Sequence, residues 1–363
     1  MTKRLSIIAS GLLLSSTMAF AADSIDGAFK EGKVSGALDA YYETSNYEVG
    51  NTNGDTDNGY SSGTVSLGFE TGSYMGVSAK VAFVGSTALS EENDTEFDSA
   101  FTSNSILSEA NLTYATEGFS ITAGRQAIGL EWAGDYHEAV VASITAIPDT
   151  TIILAASDKV GVAGYDGISD FSKLSEKAYI TEVTYSGLAG FELKPYYYTM
   201  KDNLDLYGLK TTYSSDMFGA LAHYSVEDLD NAKSGAIYQL EASTSIEGLS
   251  VALGYIGTDK DYTGALTFGD DNMSPFEDGN QVYGTDARTV YGTLGYSVSG
   301  VDLGLVYGQT TYGAADDKEK ELNLTVGYSF TDSFSGSVLY GDVTAEDSVD
   351  DYNKVLVSLN YSF

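Results

Sequence analysis

The chain has 363 residues, 52 of them acidic and 18 basic, with 43% hydrophobic content and no cysteine. A formal net charge of −34 repels nucleic acid and removes that partner class. Abundant apolar and aromatic residues speak against disorder, and without cysteines stability cannot come from disulfides. Three prolines, 40 glycines and 28 tyrosines fit instead a large sheet with tight turns and aromatic girdles.

The first 21 residues read as an export signal. Lys3 and Arg4 precede a short apolar run, Leu5 to Leu14, and Ala19-Phe20-Ala21 supplies a small-residue cleavage site. That run is too short for a membrane anchor, and nothing after it approaches 18 consecutive apolar residues, so any crossing must use strands. Cleavage leaves 342 residues; without Lys3 and Arg4, 16 bases face 52 acids, a formal net charge of −36. Residues 22–32 are expected to form a short periplasmic lead-in and 33–363 a single β-barrel in the bacterial outer membrane.

Segments of about ten residues with outward apolar alternation follow in chain order. They predict strands at 33–42, 60–70, 74–84, 105–115, 119–126, 136–147, 149–157, 176–186, 189–199, 203–213, 216–226, 235–246, 248–257, 286–298, 301–311, 320–330, 333–344 and 352–363. The reading is all-β: an antiparallel up-and-down barrel of about 18 strands, with 16 as the alternative. Every second connection is tight, as at Thr71-Gly72-Ser73, Gly187-Leu188 and Ser299-Gly300, and most of the others are long. Short periplasmic turns alternating with long external loops mark outer-membrane barrels, whereas a soluble sandwich has no reason to sort its loops by parity. The last strand ends the argument. Val355, Val357, Leu359, Tyr361 and Phe363 make one apolar face, and Tyr361 with Phe363 is read as the signal to the barrel-assembly machinery.

A barrel this wide is not filled by its own side chains, so a wet lumen is expected. Alternation turns charges of both signs inward: Lys33, Asp39, Lys80, Glu109, Glu182, Glu192, Lys194, Lys210, Glu241, Asp302, Glu321 and Lys354. A lysine at mid-depth on a lipid face would cost about 2–4 kcal/mol, and facing water it costs little. The external loops concentrate acids, among them Glu91, Glu92, Asp94, Glu96 and Asp98, which favours cations at the mouth and offers sites for divalent ions bridging lipopolysaccharide. The stretch Asn53-x-Asp55-x-Asp57 looks like a calcium loop but has Asn58 and Thr64 where glycine and glutamate are required, so no metal is assigned. No cofactor is called for. His137 and His223 are the only histidines and no hydrolase motif accompanies them, so no catalytic residue is assigned and the chain is not read as an enzyme.

Ala123-Gly124-Arg125-Gln126, the run Trp132 to Glu138, the lead-in Ala28 to Gly36 and the terminal Asn360-Tyr361-Ser362-Phe363 resemble Gram-negative outer-membrane porins, in particular the epsilonproteobacterial major porins and the related eighteen-stranded substrate-specific channels of pseudomonads. The resemblance implies an aqueous channel for ions and small hydrophilic solutes, a homotrimer, and a third external loop, here 127–135, that narrows the pore. It places Arg125 near the constriction with Glu131 and Asp135, and Glu109 is the next nearest acid. Strict alternation would turn Arg125 toward lipid, and a bulge at Gly124 is expected to re-aim it inward. The alternative function is an adhesin or structural anchor acting through the loops.

Overall fold

Eighteen antiparallel strands close on themselves in the computed structural model, which describes residues 22–47, 57–264 and 272–363. The signal segment and most of the calcium-like stretch, Asn53 to Thr56, lie outside the described residues. A six-residue helix, α1 (Ile25–Lys30), capped by the Ser24 hydroxyl, leads into the barrel at its periplasmic end. The strands are β1 (Lys33–Tyr47), β2 (Asp57–Glu70), β3 (Val77–Glu91), β4 (Ser105–Thr116), β5 (Phe119–Ala127), β6 (Tyr136–Ile144), β7 (Thr150–Ala163), β8 (Ile168–Leu188) and β9 (Phe191–Met200). The second half comprises β10 (Leu204–Ser214), β11 (Phe218–Leu229), β12 (Gly235–Ile246), β13 (Leu249–Thr258), β14 (Arg288–Val298), β15 (Val301–Tyr312), β16 (Asp317–Ser329), β17 (Phe334–Thr344) and β18 (Tyr352–Ser362). A second short helix, α2 (Glu96–Ala100), sits between β3 and β4.

Each strand pairs with its sequence neighbours, and β1 pairs with β18 from Ala37 opposite Ser362 to Tyr47 opposite Tyr352. Phe363 extends that seam, exchanging two main-chain hydrogen bonds of 3.0 Å with Gly36. No strand edge is left, which is what a hydrocarbon surround demands. The tight turns fall at one end with both termini. Glu247-Gly248 and Ser299-Gly300 each carry positive φ at both residues, the mirror-image turn whose twist matches its flanking strands.

Alternation is visible in the exposures. Val34, Leu38, Val65, Leu67, Phe83, Leu112, Leu253, Tyr307, Leu359 and Tyr361 stand exposed on the outer face, a surface that only lipid makes stable. The largest buried side chains, Trp132, Tyr198, Tyr262, Tyr291 and Lys354 among them, lie inside. A barrel too wide for its own side chains is thus narrowed by chain segments that fold into it.

The main departure from expectation is the hairpin of β7 and β8. Residues 158–175 were expected as an open loop, yet β7 runs to Ala163 and β8 starts at Ile168. Register shifts at Ser157/Lys159 and Val160/Val162 break the ladder there. Such irregularities bend a strand pair. Beyond the membrane the hairpin has no lipid face, so its sequence, Ser169-Asp170-Phe171-Ser172-Lys173, lacks the apolar alternation that marks its lower half.

Candidate pore constriction

Three inserted segments meet inside the barrel. The β5–β6 segment, residues 128–135, lies on the inner wall of β8 to β12. Its Glu131 is 3% exposed and receives Lys194 at 3.2 Å and Lys210 at 2.7 Å, with His223 3.8 Å away. Its own N–H donates to the Glu182 carboxylate at 2.7 Å, and the Trp132 N–H donates to the Tyr198 hydroxyl at 3.2 Å. Burial pushes the Glu131 carboxyl up, but Lys210 and Lys194 together outweigh it and hold it below the ordinary range. This carboxylate is a fastening for the loop.

The second segment belongs to the long connection between β13 and β14. The side-chain amide of Asn272 donates to the Glu131 carbonyl at 2.7 Å, so this connection rests on the first segment. Inward acids of β16 then hold its backbone. Glu321 accepts from the N–H groups of Asp278 and Gly279 at 2.9 and 2.8 Å, and Glu319 accepts from Gln281 at 3.2 Å. Lys354 on β18, 2% exposed, closes the latch through Asp278 at 2.7 Å and Glu277 at 3.7 Å. Burial, reinforced by Asp278 and opposed by Lys354, pushes the Glu277 carboxyl up to about 7.

The third is the tip of the β7–β8 hairpin, which crosses the lumen to the far wall. The Tyr60 hydroxyl donates to the Asp166 carbonyl at 3.0 Å, and the Ser62 hydroxyl donates to the Tyr165 carbonyl at 2.8 Å. The Tyr165 ring packs on Tyr41 with centroids 5.4 Å apart, and Ile168 forms a bridge with Phe101 beside α2. Two cavities adjoin this tip. The one nearer the periplasm, about 410 Å³, is lined by Asp39, Asp135, Asp166 and Asp302. The other, about 340 Å³ on the external side, is lined by Glu43, Glu96, Asp166 and Glu277. Tyr165, Asp166, Ser337 and Ser358 border both, so the two cavities adjoin between the hairpin tip and the β17–β18 wall. No lysine, arginine or histidine lines either cavity among the described residues.

Against this geometry Arg125 requires a correction. The ladder continues through Gly124 without a register shift, with Arg125 opposite Ala110 and Glu138, so the bulge expected there is absent. Gly124 takes φ +123, and a Cβ there would lie 2.2 Å from the Ala110 carbonyl oxygen, so the position needs glycine for this close approach to β4. The guanidinium binds Glu138 at 2.9 Å and the Leu107 carbonyl at 3.1 Å and lies 4.3 Å over Phe171. It meets neither Glu131, Asp135 nor Glu109 in an ion pair. Glu109 is paired with Lys80 at 2.8 Å on the inner wall, and only Asp135 of the four expected constriction residues lines a cavity.

The strand registers turn Lys33, Asp39, Lys80, Glu182, Glu192, Lys194, Lys210, Glu241, Asp302, Glu321 and Lys354 inward. Glu241 accepts from the Tyr291 hydroxyl at 2.7 Å, Asp302 from Ser297 at 2.6 Å and Asp39 from Asn360 at 2.6 Å. Lys33 and Glu192 stay exposed near the periplasmic rim. Both histidines are built into the interior, His137 between Ser157 and the Gly134 carbonyl and His223 against the Tyr196 hydroxyl. Tyr165 and Asp166 are functional candidates that the strand pattern does not single out. Their one local signal is the Gly164-Tyr165-Asp166-Gly167 turn, closed by a 2.9 Å hydrogen bond between its glycines.

No curated protein matches the chain. Many solved structures do. Acinetobacter baumannii OccAB4 aligns at 15% identity and TM-score 0.75, covering 92% of this chain and 98% of its own. Pseudomonas aeruginosa OccK3 (OpdO) aligns at 14% and 0.76, covering 93% and 97%, and P. aeruginosa OpdK, solved with vanillate, at 13% and 0.75, covering 93% and 100%. At these identities the likeness is one of fold. A family model described as "Putative outer membrane protein" matches residues 22–218, more than half of the chain. The closed eighteen-stranded barrel, its lipid-ready outer face and this match together make the chain a member of that outer-membrane protein family.

Proposed function

We propose that this porin-like barrel passes ions and small hydrophilic solutes by passive diffusion and prefers cations. The path runs through the external cavity, past Tyr165 and Asp166, and out through the periplasmic one. The supporting observation is the lining: both cavities carry carboxylates and no base among the described residues, while Lys194, Lys210 and Lys354 are each neutralised by an inserted loop. Fixed charges of one sign in a low-dielectric passage concentrate counter-ions and repel co-ions. In the same reading the first 21 residues are removed on export, Tyr361 and Phe363 address the assembly machinery, and the barrels associate as homotrimers.

Swelling of liposomes loaded with the purified protein tests the preference. A small amino sugar should enter several times faster than a sugar acid of equal size; equal rates, or faster entry of the acid, would remove the cationic bias.

A further inference from the structure

The outer wall carries a cationic cluster that the channel does not use. In β16 the run Asp317-Lys318-Glu319-Lys320-Glu321 alternates charge with the strand period. Glu319 and Glu321 are buried inward, where they hold the inserted loop, whereas Lys318 and Lys320 are exposed on the face shared with lipid-facing Leu324 and Val326. The ladder sets Gly257, Arg288, Thr311 and Lys318 in one row and Tyr255, Val290, Gln309, Lys320 and Thr344 in the next toward the periplasm. The row below those contains Leu253, Tyr307 and Leu322, so the bases stand just above the apolar band, at the external rim.

Arg288 is tied to Asp316, and the Lys318 N–H donates to Glu346 at 3.2 Å. Neither lysine side chain is in an ion pair among the described residues, and Asp342 is the carboxylate on the row below. Arg288 on β14 and Lys318 and Lys320 on β16 thus put three bases on one patch of the outer wall, beside Asp316, Asp342 and Glu346, and the two lysine ammonium groups are its unpaired charges among the described residues. Arg288 and Lys318 are two strands apart, roughly 10 Å, with Lys320 one pleat below. Stems extended away from the apolar row of Tyr307 and Leu322 carry both ammonium groups to the headgroup level. There they meet the phosphates of outer-leaflet glycolipid.

We propose that Arg288, Lys318 and Lys320 form a binding site for the phosphate groups of lipopolysaccharide on the outer wall of β14 to β16. The inference rests on the outer-membrane placement and is independent of what the lumen conducts. Native mass spectrometry of the full-length mature protein in detergent tests it, with diphosphoryl lipid A and its dephosphorylated form as probes. The parent should prefer the phosphorylated lipid, and K318Q/K320Q should weaken that binding about twentyfold, from the usual strength of a lysine at an anionic membrane surface. Replacing Lys233, an exposed lysine in the external β11–β12 connection, should change nothing. Equal binding of both lipids by the parent would overturn the site without recourse to any variant. So would an undiminished phosphate preference in K318Q/K320Q. Displacement of the lipid by millimolar inorganic phosphate would make it a free-anion site and contradict the lipid assignment.

Discussion

Asp166 is the residue on which the proposed selectivity turns, because it borders both cavities. Its anchoring to Tyr60 uses the main-chain carbonyl, so changing the carboxylate leaves that bond in place. D166N should lower the cation-to-anion permeability ratio by roughly two- to threefold, with single-channel conductance close to the parent's; an unchanged ratio would move the selective point elsewhere. Glu277 adds a pH dependence. Its carboxyl is pushed up to about 7, so it is neutral below that pH and becomes a carboxylate above it. Cation preference should therefore rise as pH climbs through neutrality, and E277Q should flatten the step. Arg125 behaves differently. Its guanidinium joins β5 to β6 and caps a β4 carbonyl, so R125A should leave ion selectivity alone and lower the temperature at which the barrel unfolds on detergent gels. A loss of about 1–3 kcal/mol is expected for a charged group with these partners. A selectivity change in R125A without a stability change would restore it to the pore.

At the scale of elements, the inserted hairpin is held at its tip by two hydrogen bonds from β2, from the Tyr60 and Ser62 hydroxyls. Each contributes about 1 kcal/mol. Y60F/S62A should therefore leave the barrel assembled but let the tip fluctuate, seen as added open-channel noise and a higher mean conductance. Quiet currents of parental size would mean that the tip does not border the conducting path. The hairpin also marks where sequence reading stops. Strands show in a sequence because lipid imposes alternation, and all eighteen were legible for that reason. Above the bilayer β7 and β8 face no lipid, so Ser169 to Lys173 carries no apolar period, and the glycine turn from Gly164 to Gly167 is the one trace of the inward tip. Glu131 was placed in the correct loop. Its role was not legible, because Lys194 and Lys210 lie 63 and 79 residues away and only barrel closure brings them near. The bulge at Gly124 was misread for a local reason: a glycine that permits close backbone approach looks the same in sequence as one that marks a bulge.

For the whole molecule, Lys194, Lys210 and Lys354 hold inserted loops, as do Glu182, Glu319 and Glu321, while Asp39, Asp135, Asp166 and Asp302 line one cavity and Glu43, Glu96 and Glu277 the other. The most direct test is the zero-current potential of the purified protein in a planar bilayer under a salt gradient at neutral pH. The account predicts discrete conductance steps and a potential whose sign makes the cation the more permeant ion, increasing as the gradient steepens. Steps with a potential of the opposite sign, or an intact barrel that conducts nothing, would contradict it.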